Sequence, residues 1–542
     1  MEKNAMFSEK FWVGSIIALM LAVSLAGIAN HELWTPDEPR EAAISLSMSR
    51  TGNLIIPELA GKAFVEKPPL FYITASFFLL LLGKIIGNTF ALRLVSACFG
   101  LGTLLFTYLL GEIYFSRKKA LIAAGMLATM IGFVHVSHWL LVDNALMFFI
   151  VISVWALAQA YERGRFSYLP LAGLFAAGAF LTKGVIGPII ILIAWLGLIA
   201  GWVCGKTETF PPKGGSAKTD NTQLPTSNIG PTHFPSNLDV QSWMFNVSCI
   251  ISRLLIKKIL AFHLLGLTIA VTISAAWIIA FAVKGGPELF REWWWNNHFG
   301  RFTGQSINLG HIAPWYYYLE ILPVYVLPWI VPLIISLTVL FKKIFRRESP
   351  PAGAALLLFW FLGTFLLLSL SATKRDIYLC LLLPPCALLC VQGLEDFGAR
   401  FARYQNLIIA TATAWAILLI IACPIIDRTK NYAPAFRKTS SFIISRPDLR
   451  PAGFDLDETT LAGLYYYCGL TLPPAPDRQT MEKILQGRDQ EHNAVLVLKK
   501  NDGAISLSGE TNQVIFEARM GKRRLLQILA APDGKSPDQN KL

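Results

Sequence analysis

The chain has 542 residues, of which 54% are hydrophobic and 15% charged, and its mean hydropathy is +0.49. This composition excludes an ordinary soluble globular protein and indicates an integral membrane protein. The formal net charge of +13 does not require a nucleic-acid partner, because an excess of Lys and Arg marks the cytoplasmic loops of polytopic membrane proteins.

Twelve apolar runs are candidate membrane spans. In chain order they cover residues 11–29, 70–87, 91–115, 120–139, 144–160, 168–182, 184–204, 259–283, 314–341, 352–371, 376–395 and 405–426. The first run follows Lys3 and Lys10 and has no convincing small-residue cleavage site after it. We interpret it as an uncleaved anchor with a cytoplasmic N-terminus.

Clusters of Lys and Arg predict the orientation of these runs. Five clusters should face the cytoplasm by the positive-inside rule, namely 116–119, 162–165, 253–258, 342–347 and 399–403. All five can do so if the run 70–87 does not cross but lies in the interface or dips part-way. The remaining eleven spans then leave 30–90 and the whole tail outside. The alternative, twelve spans, puts the C-terminus inside.

Two segments differ in composition from the apolar runs. Residues 205–258 are rich in Gly, Pro, Ser, Thr and Asn, which predicts a disordered cytoplasmic insert. The tail, 427–542, contains three strand-like runs and a helix-like run, which cover 494–500, 513–520, 524–530 and 479–487. We predict a small α/β domain there, with a lid or interaction role because it contains no recognisable catalytic motif.

The stretch TPDEPREA follows the first apolar run and carries the first candidate catalytic group. An acid just before Pro39 can cap a helix, because its oxygens accept the free N–H groups of the first turn. Capping needs one acid and no arginine, whereas this stretch holds Asp37, Glu38 and Arg40. We therefore select these three residues as candidates for chemistry at the outer boundary of the membrane.

Cations on the outer side run against the topology rule and need a separate explanation. FVEKPPLFY holds Glu66 and Lys67, and SATKRDIYL holds Lys374 and Arg375 on a short loop between two spans. Arg binds phosphate oxygens through two hydrogen bonds, and Lys acts as a point charge. An anionic lipid headgroup would explain both pairs. The alternative is that the cations reach ordinary phospholipid headgroups.

Two further outer segments carry candidates. Asp143 lies at the outer start of a span, where an acid is commonly a helix cap. The loop EWWWNNHFGRFTG has a Trp triplet that is typical of an interfacial aromatic belt. Its Asn297, His298 and Arg301 place polar groups beside flat rings, which is the arrangement that sugar-binding sites require.

Taken together, these motifs carry a family resemblance. The first outer loop, TPDEPREAAISLSMSRTGNLIIPELAGKAFVEKPPLFY, resembles that of the bacterial lipid A aminoarabinose transferases and the related protein O-mannosyltransferases, polytopic glycosyltransferases of the C type (GT-C). The likeness continues through LLVDNALMFF, GAFLTKGVIGP, NNHFGRFTG and LSLSATKRDIYLCLLLPPCALL and covers most of 11–395. The long insert and a smaller number of late spans depart from the family pattern.

The resemblance implies an all-α polytopic membrane protein with about 11–13 transmembrane helices in residues 1–426, followed by a small α/β periplasmic domain in 427–542. It also implies transfer of a sugar from undecaprenyl phosphate or a similar polyprenyl phosphate to a lipid A-type glycolipid. The reaction would take place at the periplasmic face of the bacterial inner membrane. The expected partners are the lipid-linked sugar, the glycolipid acceptor and membrane lipids, with no nucleic acid.

The resemblance assigns expected roles to the candidates. Asp37 matches the catalytic carboxylate of the family, and Asp143 matches its second outer-loop acid. The expected donor-phosphate ligands are Arg40, Lys67, Lys374 and Arg375. The expected sugar or acceptor ligands are Glu38, Asn297 and Arg301. Glu66 and His298 fall where the family can place a divalent cation, but two ligands are too few to establish a metal site, so metal dependence stays open.

Two alternative functions stay open. In protein O-mannosyltransferase-like transfer, the acceptor is a Ser or Thr hydroxyl and Asp37 would act as a true general base. A lipid-linked sugar transporter or flippase would instead place ionisable groups along a path through the membrane. The sequence collects its ionisable groups at the outer ends of spans, which favours an enzyme.

Overall fold

The computed structural model describes residues 2–207, 237–305, 312–393, 397–500, 513–521 and 524–530. Within these ranges the chain is mainly helical, with a small sheet near the C-terminus. The helices are α1 (Glu2–Leu25), α2 (Asp37–Thr51), α3 (Leu70–Ile86), α4 (Asn88–Tyr114), α5 (Arg117–Thr129), α6 (Ile131–His138), α7 (Val142–Glu162), α8 (Leu169–Lys183), α9 (Ile186–Thr207), α10 (Asn237–Arg291), α11 (Arg301–Thr303), α12 (Tyr317–Val326), α13 (Ile330–Phe345), α14 (Ala354–Leu358), α15 (Thr364–Leu370), α16 (Leu383–Gln392), α17 (Phe397–Lys430), α18 (Ala433–Ser445), α19 (Glu458–Cys468) and α20 (Arg478–Leu485). Short 3₁₀ or π turns occupy Phe166–Tyr168, Glu292–Gly300, Phe359–Gly363 and Asp376–Leu382.

Six described helices are long and apolar enough to cross a membrane, and two bent helix pairs raise this number to as many as eight. The bent pairs are α5 with α6, at 66°, and α12 with α13, at 115°. Four shorter apolar helices are also present. The fold is thus the all-α polytopic membrane architecture that the sequence predicts. The prediction of eleven spans requires three of the four short helices to cross as well.

The remaining short helix is α3, which corresponds to the run 70–87 that the sequence predicts to lie in the interface. It has 17 residues, and its Phe77, Leu80, Leu81 and Ile85 are more than half exposed. Its other face packs against α2 and α4 through Phe71, Tyr72 and Ala75, which are fully buried. An apolar face without a protein partner is suited to lipid contact, so α3 remains a candidate for an interfacial or dipping segment.

Residues 237–258 correct one expectation of the sequence analysis. This part of the predicted disordered insert forms the beginning of the helix α10, whereas 208–236 lie outside the described residues.

Farther along, α10 packs closely against α8 where Gly173 faces Gly266. A Cβ on Gly173 would lie 2.0 Å from the Gly266 carbonyl oxygen, so a side chain there would force the two helices apart.

The C-terminal residues form the predicted α/β domain. Its mixed sheet has the order β3 (Pro451–Phe454), β4 (Ala494–Lys500), β6 (Arg524–Ala530) and β5 (Gln513–Met520), with β3 parallel to β4 and the other pairs antiparallel. A separate hairpin, β1 (Glu58–Leu59) and β2 (Lys62–Ala63), lies in the first outer segment. The three longer strands and α20 confirm the periodicity-based predictions for this region.

The C-terminal domain packs directly onto the membrane domain through α19 and α2. Ala462, Tyr465 and Tyr466 of α19 share one apolar cluster with Ala42 and Leu46 of α2. The C-terminal end of α2 is fixed by Gly52. The φ of 66° at Gly52 lets its N–H donate to the carbonyl of Met48, which ends the helix. The contact with α19 therefore joins the first outer segment to the tail.

Candidate active site

A cavity of about 630 Å³ lies where the outer segments predicted from the sequence meet. Its wall combines the start of α2, the ends of α7 and α8 near Asp143 and Lys183, the segment around Asn297, and the loop before Ile377. Five acidic side chains and five Lys or Arg side chains line the cavity among the residues that the structure describes, namely Asp37, Glu41, Glu66, Asp143, Glu458, Arg40, Lys67, Lys183, Arg301 and Arg375.

Asp37 is the first residue of α2, and two arginines bind its carboxylate. Arg375 binds both carboxylate oxygens, with Nη1 donating to Oδ1 at 3.1 Å, and Arg40 Nη2 donates to Oδ1 at 2.9 Å. Burial raises the pKa of Asp37, but the hydrogen bonds and charge of Arg375 and the charge of Arg40 outweigh it and lower the pKa to about 2. Asp37 is therefore ionised at neutral pH.

Glu41 lies beside Asp37 and binds Lys67, another of the expected donor-phosphate ligands. Its Oε1 accepts from Lys67 Nζ, and its Oε2 accepts from the Tyr72 hydroxyl at 2.6 Å. Glu41 is one turn beyond Asp37, so both acids face the cavity from the same side of α2. Arg40 adds a cation–π contact with the Phe64 ring at 5.6 Å. The charges on α2 are thus held in fixed positions.

Asp143 forms the opposite wall of the cavity. It lies in the first turn of α7, and Lys183 Nζ, at the C-terminal end of α8, donates to its Oδ1. The same ammonium lies 4.0 Å from the centroid of the Tyr378 ring. Lys183 brings a cation to the predicted acid and is a site residue that was not among the sequence-based candidates.

The segment after α10 contributes Asn297, His298 and Arg301. Arg301 Nη2 donates to Glu66 Oε1 at 2.6 Å, and Asn297 Nδ2 donates to the Val65 carbonyl at 3.2 Å. Burial raises the pKa of Glu66, but the charges of Arg40 and Arg301 outweigh it and lower the pKa. Asn297 Oδ1 is buried and accepts no hydrogen bond from the described residues.

These residues do not fit the divalent cation that Glu66 and His298 leave open in the sequence. The Glu66 carboxylate already binds the Arg301 guanidinium, so a cation would have to displace Arg301 from it. His298 Nδ1 donates to the Trp293 carbonyl at 2.9 Å, which leaves only Nε2 of this ring as a metal ligand. The described part of the chain contains no group of three or more His, Cys, Asp or Glu side chains placed to hold a metal. Zinc sites use three or four protein ligands, a number that Glu66 and His298 alone do not supply.

The structure corrects the prediction that Glu38 binds a sugar or acceptor. Glu38 does not line the cavity, because its side chain is fully buried against Arg93 of α4. Arg93 donates to both Glu38 oxygens, at 3.0 and 2.9 Å, and to the carbonyls of His31 and Glu32. The backbone N–H groups of Trp34 and Leu140 also donate to Glu38. Glu38 therefore fixes the fold of the first outer segment.

Lys374 is also corrected as a donor-phosphate candidate. Its ammonium donates to the carbonyls of Ala313, at 3.1 Å, and Ser371, and it does not line the cavity. Only 3% of Lys374 is exposed. The neighbouring Arg375 faces the cavity because its backbone is extended, with φ of −138° and ψ of 140°, and successive side chains of an extended segment point to opposite sides.

Glu458 is a cavity residue that no feature of the sequence indicates. It begins α19 in the C-terminal domain, and its Oε2 accepts from Arg40 Nη1 at 3.0 Å. The adjacent Thr459 hydroxyl donates to the Pro36 carbonyl at 3.2 Å. No local motif marks Glu458, because its partner lies 418 residues away in the chain. Arg93 was also missed from the sequence. The available signal was its position as a charged residue within an apolar run.

Comparison with known proteins agrees with the motif resemblance. Residues 66–208 match the family described as dolichyl-phosphate-mannose-protein mannosyltransferase. The chain is 26% identical over 419 residues to an undecaprenyl phosphate-alpha-4-amino-4-deoxy-L-arabinose arabinosyl transferase of Pseudomonas savastanoi, covering 75% of this chain and 66% of the relative. A similarly described protein of Proteus mirabilis is 26% identical, covering 75% of this chain and 65% of the relative. The chain thus spans less than two thirds of the length of these relatives.

Solved structures show that the fold is shared. ArnT from Cupriavidus metallidurans, bound to undecaprenyl phosphate, superposes with a TM-score of 0.68 and 16% identity, covering 95% of this chain and 98% of that chain. The oligosaccharyltransferase AglB from Archaeoglobus fulgidus superposes with a TM-score of 0.51 and 14% identity, covering 90% of this chain and 69% of that chain. By its fold and by its sequence, the chain is similar to the aminoarabinose transferases and protein O-mannosyltransferases, the polytopic C-type glycosyltransferases that its outer-loop motifs indicate.

Proposed function

We propose that this protein is a membrane glycosyltransferase that uses a polyprenyl phosphate-linked sugar, with undecaprenyl phosphate as the carrier. The observation that carries the proposal is the position of Asp37, an ionised carboxylate held by Arg375 and Arg40 at the wall of a charged cavity. The relatives support the same chemistry, since their names describe undecaprenyl phosphate-dependent arabinosyl transfer.

The proposed reaction is a displacement at the anomeric carbon of the donor. An acceptor oxygen forms the new bond to that carbon, and the bond from the carbon to the phosphate oxygen breaks. The polyprenyl phosphate leaves with the electron pair. Arg40, Lys67 and Arg375 stabilise the charge on the leaving phosphate, an effect that is strong where water is scarce. Asp37 orients the acceptor beside the anomeric carbon, with Asp143 on the opposite wall as a second polar contact.

The acidity of Asp37 favours an acceptor that is already anionic, such as a phosphate of a lipid A-type glycolipid. A carboxylate with a pKa of about 2 is a weak base for a Ser or Thr hydroxyl. An anionic phosphate oxygen needs no proton removed, so the neighbouring cations can position it while Asp37 holds Arg40 and Arg375 in place. We place this reaction at the periplasmic face of the bacterial inner membrane.

Protein O-mannosyl transfer is the second candidate, and one specific observation favours it. Residues 66–208 match a family named for protein mannosyltransferases. In that reaction Asp37 accepts the proton of a Ser or Thr hydroxyl. Donor phosphate that draws Arg375 away from Asp37 would raise the pKa of the carboxyl and make it a better base.

The decisive experiment offers the purified protein a panel of polyprenyl phosphate sugars with either lipid A or a Ser/Thr-rich peptide. We expect mass spectrometry to find a sugar on lipid A and free polyprenyl phosphate in equal amount. A glycosylated peptide would establish the second candidate. If neither acceptor gains a sugar while the protein moves the lipid-linked sugar across vesicle membranes, the protein is a transporter and the proposal is wrong.

A further inference from the structure

The cations that line the cavity are all paired with carboxylates that also line it. Each of the five lining cations lies within hydrogen-bond distance of a lining carboxylate: Arg375 and Arg40 at Asp37, Lys67 at Glu41, Lys183 at Asp143, and Arg301 at Glu66. A phosphate that enters this cavity finds no lining cation without a carboxylate among the residues that the structure describes. The phosphate must therefore either share a cation with its carboxylate or replace that carboxylate.

The carboxylates differ in how firmly they are held. The side chains of Asp37, Glu41 and Asp143 are 6%, 1% and 3% exposed, and that of Glu66 is 15% exposed. The Glu458 side chain is 53% exposed and pairs with a single cation, through Arg40 Nη1. An exposed ion pair contributes little free energy because water screens it, so it is the easiest of these contacts to exchange.

Arg40 itself keeps its position when Glu458 leaves. Its Nη2 remains bound to Asp37 at 2.9 Å, and its guanidinium lies over the Phe64 ring. Its Nη1 then becomes free, on a group that is fixed in place and directed to the cavity. Such a preorganised guanidinium donor is suited to a phosphate oxygen.

We propose that Glu458 occupies the position on Arg40 that the donor phosphate takes when it binds. The C-terminal domain then sets the affinity for the donor, because its α19 supplies a carboxylate that competes with the substrate phosphate. This inference rests on the proposed function, since it assumes that an anionic polyprenyl phosphate enters the cavity. It gives the C-terminal domain a defined role in substrate binding.

The test measures binding of undecaprenyl phosphate to the full-length protein in detergent, by calorimetry, without turnover. We expect Glu458→Gln to lower the Kd about two- to fivefold, the range given by the loss of an exposed ion pair. The gain should shrink at high salt, because salt screens the competing carboxylate. The matched control is Glu482→Gln, on an exposed face of α20 away from the cavity, which should leave the Kd unchanged.

A second variant separates the contact from its charge. Glu458→Asp keeps the negative charge but shortens the side chain by one methylene, so it cannot reach Arg40 Nη1 at the present 3.0 Å. We expect Glu458→Asp to tighten binding as Glu458→Gln does. If Glu458→Asp keeps the wild-type Kd while Glu458→Gln lowers it, Glu458 acts through long-range charge and the inference is wrong. An unchanged or raised Kd in Glu458→Gln also overturns it.

The wild-type protein separates failure of this inference from failure of the proposed function. If wild-type protein binds undecaprenyl phosphate and the Glu458 variants bind it equally well, only the competition by Glu458 is refuted. If the wild-type protein shows no binding of undecaprenyl phosphate at any concentration tested, the proposed donor is wrong and the inference is refuted with it.

Discussion

At the scale of single residues, neighbours in the sequence serve different purposes. Asp37 faces the cavity, whereas Glu38 is buried against Arg93. Arg375 binds Asp37, whereas the ammonium of Lys374 binds backbone carbonyls. In a helix, consecutive side chains are about 100° apart, and in an extended segment they alternate between sides. Adjacent charged residues therefore cannot be assigned to one site from the sequence alone.

The first prediction concerns Asp37→Asn. Loss of the carboxylate removes the group that orients the acceptor and holds Arg375, so we expect transfer to fall at least about 100-fold, within the range for loss of acid–base or positioning groups. The measurement is initial rate with a polyprenyl phosphate sugar. The control is Asp448→Asn, an exposed acid that pairs with Arg446 away from the cavity. Wild-type activity in Asp37→Asn would remove Asp37 from the mechanism.

The second prediction follows from the lowered pKa of Asp37. A folded-state pKa of about 2, below the usual 3.8, means that ionised Asp37 stabilises the folded protein above about pH 4. That contribution, roughly 2 kcal/mol, is lost as the pH falls from 4 toward 2. We expect the difference in Tm between the wild-type protein and Asp37→Asn to be constant from pH 5 to 8 and to vanish toward pH 2. A difference that disappears near pH 6 would contradict the lowered pKa.

The third prediction distinguishes Lys374 from Arg375. Arg375→Ala removes a cavity cation and should raise the KM for the donor about tenfold or more, because a bidentate charged contact is lost. Lys374→Ala leaves two part-buried carbonyls without their donor and should lower the Tm by several degrees. Kinetics and thermal unfolding in the same detergent would compare them. A larger KM effect for Lys374→Ala than for Arg375→Ala would restore Lys374 as a phosphate ligand.

At the scale of elements, α2 organises the site by separating structural and cavity-facing charges. Asp37 and Glu41, one turn apart, face the cavity, while Glu38 points to α4. Ala42 and Leu46 contact α19, and Tyr72 of α3 donates to Glu41. We therefore expect a change on one face of α2 to affect stability and a change on the cavity face to affect the proposed sugar transfer.

The fourth prediction tests the pair of Glu38 and Arg93. Both side chains are 0% exposed, so Glu38→Gln leaves a guanidinium buried without its counter-charge. Breaking such a pair costs about 3–5 kcal/mol, and we expect a low yield of monodisperse protein and a strongly reduced Tm. The control is Glu58→Gln, a part-buried acid of β1 whose Oε1 accepts from Asn53. A Glu38→Gln protein with wild-type Tm and impaired sugar binding would reinstate Glu38 as a ligand.

At the scale of the whole molecule, contacts between distant segments limit the topologies that are compatible with the fold. The packing of α19 on α2 requires the first outer segment and the C-terminal domain to lie on the same side of the membrane. The turn between α4 and α5 lies at the far end of α4, whose 27 residues extend about 40 Å. This distance exceeds the thickness of the hydrocarbon core of a bilayer, about 30 Å.

The fifth prediction tests the orientation by labelling introduced thiols in intact cells with a membrane-impermeant reagent. Lys62→Cys, in the outer hairpin, and Gln490→Cys, in the C-terminal domain, should be labelled from the periplasm, and both side chains are exposed. Lys118→Cys, at the exposed start of α5, should react only after the inner membrane is opened. Labelling of Lys62→Cys from the cytosol alone would reverse the orientation and place the cavity on the wrong side for a periplasmic reaction.

The sequence predicts the elements well because their signals are local. Apolar runs mark the helices, and alternating apolar residues mark β4, β5 and β6. The insert was the exception, since a polar composition hid the helix that begins at Asn237.

The cavity could be predicted only in part, because its geometry depends on contacts between distant segments. Motifs locate Asp37, Asp143 and Arg375, but Glu458 joins the cavity through the docking of α19, and Lys183 gains a role only through its contact with Asp143.

The docking of α19 on α2 also affects when the protein becomes functional during biosynthesis. The wall that holds Arg40 is completed by a residue 418 positions later in the chain. The ribosome must synthesise nearly all the polypeptide, and the cell must thread the later helices into the bilayer, before this wall closes. A nascent chain arrested ahead of α19 would contain Asp37 and its arginines but would lack the Glu458 carboxylate that binds Arg40. Arg40 Nη1 would then be free to bind anionic lipids.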